Sequence, residues 1–572
     1  MVSNVSDAHS LLDLDLFKSP THSLSTEAKV QLSIQKARHI AAAYHFTLDD
    51  IAHLSPKFWR LHADPIVADD PAATTLLTIQ FNLVIGTILD MFGKRPDLVE
   101  QLNDLLEFKI SGQFCLTEVD HGLDAANIET TATALENGDG FILHSPHVGA
   151  AKYMPPTVPC GLPCIAIVMA RLIKNGIDLG VRPFLVSIND GEKMSPGVTA
   201  RLLPPRGGST PVCHSVTSFN HIFLPQNALL QRKTPSIAGS GGQKRLDFLK
   251  TIKRVAVGSL ALSGTTIPAL SRAAFTVAAY SRRRHVGSPA SLPIIQFKTQ
   301  YAPILTAFAQ SFVLAAFYKR AVEIFRDDSI DFRVRHGIAA CFKVVALRHS
   351  QDAALILSER CGAQGLFNYN GISGLHADLR GIAIAEGDLL GLSIRLATEL
   401  LLNRYSLSRG PNTASPLALH ADGLLSACRT TLMELGEHRS DAFNRRILPR
   451  CRPIVEALGM QFAYDAAVAA GLDAGITQLY LATAMRHDEG WYVENLARSQ
   501  QDMFDAEEAA LQSALPKLDE WMERSGVRAY ATAPIVSPER WSEFLSQLAV
   551  FKAPEIQDST ATKEYRSLRS RL

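Results

Sequence analysis

The chain has no excess of charge, few cysteines and no recognisable leader sequence. Its 57 Lys and Arg residues nearly balance 56 Asp and Glu residues, for a formal net charge of +1. This balance gives no electrostatic basis for binding nucleic acid, so no nucleic-acid partner is predicted. Eight cysteines in 572 residues are too few for a disulfide scaffold and favour a reducing, intracellular compartment. The N-terminal stretch MVSNVSDAHS lacks the basic and apolar regions of a secretory signal.

Several motifs that carry catalysis or ligand binding are also missing. The histidines show neither HExxH nor another paired spacing, so no metal site is predicted. Without a GxSxG motif, the chain lacks the common serine-hydrolase elbow. The glycine-rich GSGGQ at 239–243 has no preceding strand and no GxGxxG spacing, which favours a flexible loop over a phosphate cradle. Cys160 and Cys164 do not form a CxxC pair, and we interpret them as buried thiols.

Uninterrupted hydrophobic runs of membrane-spanning length are lacking as well. The most apolar long stretch, 255–280, is broken by serine, threonine, Pro268 and Arg272. These breaks make it a poor membrane span and a good buried helix. We therefore predict no membrane span.

Changes in composition divide the chain into helical and β-rich parts. Residues 27–110 carry helical periodicity with few turn residues. Residues 113–230 contain short β-rich runs separated by Gly, Pro and Asp, and ENGDG at 136–140 is typical of a hairpin turn. The stretch PSIAGSGGQKR at 235–245 predicts a hinge or exposed loop. Long helical segments follow at 246–283, 300–326, 334–362 and 376–403, with more after 416.

This order predicts a mainly α protein with a central β domain. The predicted domains are an N-terminal helical domain at 1–112, a middle β domain at 113–232, a C-terminal helical bundle at 245–415 and a second helical domain at 416–572.

One carboxylate stands out within an aliphatic run, AIAEGDLLGL at 383–392. Burial disfavours the ionised form of Glu386 and should raise its pKa. A desolvated carboxylate suits a general base that abstracts a proton from carbon. The same residue could instead be an ordinary acid at a helix start or on a solvated helix face.

Four separated stretches of the chain carry a resemblance to a known family. They are FCLTEVDHGLDAANIETTATALENGDGFILHSPHVGAAKYMPPT (114–157), RLLPPRGGSTPVCHSVTSFNHIFLPQNALL, YSRRRHVGSPASLPIIQFKTQ and CGAQGLFNYNGISGLHADLRGIAIAEGD. In this order they resemble the acyl-CoA oxidases and acyl-CoA dehydrogenases, over roughly residues 27–560. The TEVDHG segment and the extra helices after 416 favour the oxidase branch.

The resemblance implies a fold, a cofactor and a set of contacts with that cofactor. It implies an N-terminal helical domain, a middle β-barrel domain and a C-terminal helical bundle, with FAD bound between the two subunits of a homodimer or a dimer of dimers. The implied flavin contacts from the β domain are Cys115, Thr117, Gly122, Tyr153 and Met154. The implied contacts with the FAD pyrophosphate of the neighbouring subunit are Arg283, Arg284, Gln300, Gly362 and Gly365.

Each of these contacts has a simpler alternative. Thr117 could be an ordinary strand residue, and the two arginines could be surface charges at a helix end. Planar guanidinium groups nevertheless suit a diphosphate. Gly362 and Gly365 could cap the preceding helix. For Gln300 the sequence favours a structural role and a binding role equally.

The implied chemistry assigns Glu386 as the base that takes the α-proton of an acyl-CoA. The β-hydrogen leaves as hydride to the flavin N5, which gives the trans-2-enoyl-CoA, and dioxygen reoxidises the flavin to yield hydrogen peroxide. Departures from the family pattern put the shape of the substrate in doubt; they are Asp120, Tyr153, Met154, Pro156, Gln364 and Ala385. The alternative is a dehydrogenase-like tailoring enzyme, or a non-redox homologue, that acts on a polyketide-type acyl thioester.

The last three residues are Ser570, Arg571 and Leu572. They resemble the C-terminal Ser-Lys-Leu address, which predicts recognition by the peroxisomal import receptor and a peroxisomal location.

Overall fold

The computed structural model describes residues 8–18, 21, 23–92, 96–230, 247–408, 410, 412–438, 440–552 and 568–569. Helices come first along the chain, two β-sheets follow, and a larger set of helices completes it. This confirms the predicted fold class. The predicted hinge at 235–245, with its GSGGQ stretch, and the C-terminal tripeptide lie outside the described residues.

The N-terminal helices begin at side chains that cap them. Ser25, Ser55 and Asp70 each accept a hydrogen bond from a backbone N–H of the first helical turn that follows. A π-helical segment, Ile79–Ile85, continues the helix that starts at Pro71. The helices are α1 (Asp15–Lys18), α2 (Thr26–Tyr44), α3 (Leu48–Ala52), α4 (Pro56–Ala63), α5 (Pro71–Thr78), α6 (Gly86–Phe92) and α7 (Val99–Leu106).

Two hydrogen-bonded sheets form the β domain. The strands are β1 (Ser111–Cys115), β2 (Thr131–Ala134), β3 (Gly140–His144), β4 (Lys152–Tyr153), β5 (Cys164–Lys174), β6 (Ile177–Asn189), β7 (Val198–Leu202), β8 (Ser215–Phe219) and β9 (Ile222–Pro225). The larger sheet has the order β1-β5-β2-β3-β9 with β6 paired to β5, and the smaller has the order β4-β8-β7. Strands β2 and β3 pair antiparallel, Thr131 opposite His144. This confirms the hairpin predicted at ENGDG.

Long helices form the C-terminal part. They are α8 (Lys253–Gly264), α9 (Thr266–Arg283), α10 (Lys298–Arg326), α11 (Phe332–Arg360), α12 (Ile372–Ile384), α13 (Leu389–Leu401), α14 (Pro416–Leu435), α15 (Asp441–Arg446), α16 (Leu448–Ala469), α17 (Ala474–Met485), α18 (Glu489–Asn495), α19 (Gln500–Ala514), α20 (Leu518–Arg524) and α21 (Pro538–Ser546). Two short strands, β10 (His285–Val286) and β11 (Leu292–Pro293), lie between α9 and α10. Buried residues of these helices and of the N-terminal helices belong to one hydrophobic cluster.

The prediction of an uninterrupted helical segment at 376–403 was wrong. Helix α12 ends at Ile384, and Ala385 is extended with ψ 144°. Glu386 and Gly387 follow with positive φ angles of 54° and 100°. The Asp388 carboxylate then accepts a hydrogen bond from Gly391 N at 2.9 Å and starts α13. The periodicity of the apolar residues on both sides therefore hid a four-residue turn between two helices.

Two helical stretches among the described residues are long and apolar enough to cross a membrane, judged by length and composition alone. They are Pro71–Met91 and Lys298–Arg326, and 83% and 67% of their most apolar windows are buried inside the molecule. Such burial is typical of core helices. The stretch 255–280, which we expected to be one buried helix, consists of α8 and α9, and these helices meet at Thr265.

Candidate active site

Glu386 lies in the turn between α12 and α13, where the backbone is left-handed. A positive φ of 54° is uncommon for a residue with a side chain. Such a conformation persists when its surroundings hold it in place. The neighbours of the turn therefore decide where the carboxylate points.

The Glu386 carboxylate packs directly against helix α8. A Cβ atom placed on Gly258 would lie 1.0 Å from Glu386 Oε2, so only a glycine leaves room for this carboxylate. Glu386 Oε2 is buried and has no hydrogen-bond partner among the residues that the structure describes. Burial raises the pKa of Glu386 to about 8, and the positive charge of Lys343 opposes this rise. The carboxylate is thus desolvated, and one of its oxygen atoms is free of hydrogen bonds to the described residues.

Two side chains from distant parts of the sequence hold the turn. Lys343, on α11, donates to Ala385 O at 2.5 Å and to Gly387 O at 2.6 Å. Ser259, next to Gly258, donates to Glu386 O at 2.5 Å. Sequence reasoning missed Gly258, Ser259 and Lys343. A lysine within the apolar run CFKVVAL was the one available signal, since it is the same anomaly that singled out Glu386.

Two cavities meet at Glu386. The smaller has a volume of about 250 Å³ and lies between the N-terminal helices, the β domain and α12; its mostly apolar wall includes Thr78, Leu83, Met154 and Leu262. The larger has a volume of about 910 Å³ and extends from Glu386 past residues 177–182 and 247–259. A substrate could therefore place one end in the smaller, mostly apolar cavity and the other in the larger cavity, with Glu386 between them.

The predicted flavin contacts in the β domain are brought together only in part. Thr117 Oγ1 donates to Tyr153 O at 2.5 Å, so β4 and the segment after β1 are joined there. Tyr153 and Met154 line the smaller cavity, and the Tyr153 side chain is 44% exposed. Cys115 is fully buried, and burial raises the pKa of its thiol to about 12. Gly122 is exposed, with open space where a side chain would be.

The residues predicted to contact the FAD pyrophosphate lie where three helix ends converge. Gln300 Nε2 donates to Ser281 Oγ and to Arg360 O, both at 2.8 Å, and so connects the start of α10 with the ends of α9 and α11. Gln300 therefore has a structural role. No residue in the described part of the chain accepts a hydrogen bond from the guanidinium groups of Arg283 and Arg284, which close α9.

The two glycines after α11 have different roles. Gly362 has a φ of 58°, which suits a glycine beyond a helix end. A Cβ on Gly365 would lie 1.8 Å from Ser358 O, so Gly365 permits close packing of the chain onto α11. Both observations favour the capping interpretation. The loop at 361–365 that contains these glycines lies next to the ends of α9 and α10.

No arrangement of three or more His, Cys, Asp or Glu side chains suited to a metal ion occurs within the described ranges. The site therefore consists of Glu386 with its supporting turn, two cavities and two sets of polar groups.

Comparison with known proteins identifies relatives of this chain. No family model matches it. It is 27% identical over 329 residues to peroxisomal acyl-coenzyme A oxidase 1 of Arabidopsis thaliana, which covers 53% of this chain and 48% of that protein. It is 24% identical over 329 residues to peroxisomal acyl-coenzyme A oxidase 2 of Rattus norvegicus, which covers 54% and 47%. The aligned region thus spans about half the length of the curated relatives.

Solved structures match over nearly the whole chain. The crystal structure of acyl-CoA oxidase 1 from Yarrowia lipolytica has a TM-score of 0.80 at 16% identity and covers 98% of this chain and 91% of its own. Acyl-CoA oxidase 1 of Arabidopsis thaliana has a TM-score of 0.78 at 19% identity, with coverages of 99% and 94%. The chain therefore has the acyl-CoA oxidase fold and is related in sequence to the acyl-CoA oxidases.

Proposed function

We propose that this protein is an FAD-dependent acyl-CoA oxidase in which Glu386 abstracts the α-proton of the acyl thioester. The observation that carries the proposal is the buried, unpartnered Glu386 Oε2 at the junction of two cavities. A carboxylate desolvated in this way gains basicity toward a carbon acid. The backbone N–H of Glu386 is the candidate donor to the thioester carbonyl.

The residues present fit FAD. Solved structures of Caenorhabditis elegans acyl-CoA oxidases contain it, in one case together with ATP and in another with ascaroside-CoA and ATP. In this chain Thr117, Tyr153 and Met154 would contact the flavin ring beside the smaller cavity. No described residue accepts a hydrogen bond from the guanidinium groups of Arg283 and Arg284, and such cationic donors suit a diphosphate. When bound, FAD supplies the acceptor for the β-hydrogen, which leaves as hydride.

The two cavities divide the substrate into an acyl part and a carrier part. The smaller, mostly apolar cavity suits the acyl chain, and the wider cleft suits the coenzyme A portion. Loss of the α-proton to Glu386 and of the β-hydride gives the trans-2-enoyl thioester. Dioxygen then takes up the two electrons, with hydrogen peroxide as product. No observation favours the alternative of a non-redox homologue acting on a polyketide-type thioester.

The Glu386→Gln variant tests this function. An amide keeps the size and polarity of the side chain but has no useful basicity, so we expect FAD content near that of the wild type and no flavin bleaching. The measurement is anaerobic flavin absorbance after addition of an acyl-CoA. Glu434→Gln, at an exposed acid paired with Arg446, is the matched control and should bleach normally. Bleaching of Glu386→Gln at the wild-type rate would exclude Glu386 as the base, and a colourless wild-type protein that cannot be reconstituted with FAD would favour the alternative.

We further propose a peroxisomal location and assembly as a homodimer or dimer of dimers. The relatives from Arabidopsis and rat are named peroxisomal, and the Ser570–Arg571–Leu572 terminus suits the import receptor. Fluorescence microscopy of the full chain and of a chain ending at Arg569 tests the location, and unchanged peroxisomal signal from the shortened chain would show that the tripeptide is incidental.

A further inference from the structure

We propose that Lys343 is a positioning residue: its ammonium group ties together the two carbonyls that flank Glu386 and places a positive charge beside the turn. The catalytic meaning of this role rests on the function proposed above. The role itself concerns only the turn and its lysine, and it is measurable without turnover.

The hydrogen bonds of Lys343 are directed to the backbone of the turn. Its Nζ donates to Ala385 O at 2.5 Å and to Gly387 O at 2.6 Å, one carbonyl on either side of Glu386. Glu386 is in its left-handed conformation, with φ at 54°, and in that conformation both carbonyls accept from the same ammonium group. A single ammonium group thus holds the conformation that aims the carboxylate at Gly258. Ser259, which donates to Glu386 O at 2.5 Å, fixes the third carbonyl of the turn.

Packing alone does not explain a lysine at this buried position. Lys343 is 1% exposed and lies among apolar residues of α11. Moving an ammonium group out of water is unfavourable unless carbonyls or negative charges replace its hydration. The turn supplies both, because two carbonyls accept its protons and two carboxylates, Glu386 and Asp388, attract its charge. Lysine and turn therefore stabilise each other.

The charges around the pair define the expected effect. Burial lowers the pKa of Lys343 to about 8, and Glu386 and Asp388 oppose that decrease. On the same helix, burial lowers the pKa of His336 to about 3, with Arg395 of α13 and Lys343 contributing, so His336 is neutral. Lys343 is thus the positive charge that acts on Glu386 and keeps its pKa from rising further. Removing the charge should raise the pKa of Glu386, while retaining it should not.

Variants at Lys343 separate charge from packing. Lys343→Met keeps the length but removes the charge and both hydrogen bonds. Lys343→Gln is neutral but keeps a donor, and it is the second variant if the methionine protein fails to fold. Lys343→Arg keeps the charge. The matched control is Lys36→Met, at another buried lysine, which is paired with Asp69 at 2.7 Å and interacts with Asp69, Asp70 and Arg272 instead of Glu386.

The readout is the infrared carboxyl signal of Glu386 during a pH titration of the FAD-loaded protein. Each variant is measured against the same protein with the added Glu386→Gln change, so the difference spectrum isolates Glu386. We expect the titration midpoint to rise by about one to three pH units in Lys343→Met and Lys343→Gln. It should stay near the wild-type value in Lys343→Arg and in Lys36→Met.

Two outcomes would overturn the proposal. One is an unchanged midpoint in both neutral variants, and the other is an equal shift in Lys36→Met, which would show a general effect of losing a buried lysine. The titration needs no substrate, so its outcome does not depend on turnover. A shifted midpoint without any flavin bleaching would refute the oxidase proposal and leave the role of Lys343 intact. Flavin bleaching with an unchanged titration midpoint would support the oxidase proposal and refute the role of Lys343.

Discussion

Gly258 controls the position of the Glu386 carboxylate at the scale of single residues. The turn presents the carboxylate to α8, and the absence of a side chain at Gly258 admits it. The flexible end of Glu386 can move away from an added methyl group, so the fold should tolerate a change there. Catalysis should not tolerate this change, because displacing a reacting group by about 1 Å can lower a rate about a hundredfold.

We therefore expect Gly258→Ala to fold and to retain FAD, but to reduce its flavin about a hundredfold more slowly with an acyl-CoA. Stopped-flow absorbance measures this rate. Gly264→Ala is the matched control on the same helix, because its methyl group would crowd the Tyr318 ring at 2.8 Å instead of the carboxylate. A wild-type rate in Gly258→Ala would show that the carboxylate reacts from another position.

The pKa of Glu386 also predicts a pH dependence. A base acts in its deprotonated form, and burial raises this pKa to about 8. The rate of flavin reduction under single-turnover conditions should therefore rise with pH through about 8 and level off above it. A rate that is flat between mildly acidic and mildly alkaline pH, or that falls as pH rises, would contradict the assignment.

At the scale of elements, a buried ion pair joins the segment after β1 to β4. Lys152 Nζ donates to Glu118 Oε1 at 2.9 Å and to Met169 O at 2.7 Å, and both charged side chains are 0% exposed. The Glu118 carboxylate also accepts the backbone N–H of Glu129 at Oε2 and the backbone N–H of Thr130 at Oε1. The pair thus connects the segment that carries Thr117 with strand β4, which carries Tyr153, and both residues are proposed flavin contacts.

Removing one charge of this pair leaves the other buried without compensation, which typically destabilises a protein by about 3–5 kcal/mol. We expect Glu118→Gln to lower the free energy of unfolding by about that amount and to weaken FAD retention. Denaturant unfolding and flavin absorbance after gel filtration measure both. Glu107→Gln, in an exposed pair with Lys109, should change stability by under about 1 kcal/mol. Equal effects of the two variants would show that the buried pair has no special role.

At the scale of the whole molecule, the end of α9 suggests a link between assembly and cofactor binding. Arg283 and Arg284 have no acceptor among the residues that the structure describes. Apolar side chains are exposed nearby in the chain, on the short strands and at the start of α10: Val286, Leu292 and Phe297. Exposed apolar surface of this kind is typical of a protein interface, and the two neighbouring guanidinium groups would give such an interface positive charge for an anion.

We expect the double change of Arg283 and Arg284 to alanine to reduce FAD content and to shift the protein toward monomer. Buried phosphates would lose their paired charges, and cofactor binding stabilises the assembled form by mass action. Light scattering combined with flavin absorbance measures both properties. The control is Arg320→Ala, an exposed arginine paired with Glu323. A fully yellow double variant of unchanged size would refute the shared site.

The sequence by itself located α10, α11, the hairpin of β2 and β3, and the candidate base. Periodicity of apolar residues located α10 and α11 within about two residues of their ends, because burial of one helix face is a local property of the chain. Turn chemistry located the hairpin between β2 and β3 in the same way. Glu386 stood out because a charge within an aliphatic run is anomalous wherever it occurs.

Only the tertiary structure decided what surrounds that charge. The turn that carries Glu386 looked like continuous helix, because hydropathy does not report a left-handed backbone at one residue. Its partners come from far along the chain: Lys343 is 42 residues from Ala385, and Ser259 is 127 residues from Glu386. The pKa of a carboxylate depends on its distance from water and from other charges. Those distances are set by how helices pack, and packing of distant segments leaves no periodic trace in the sequence.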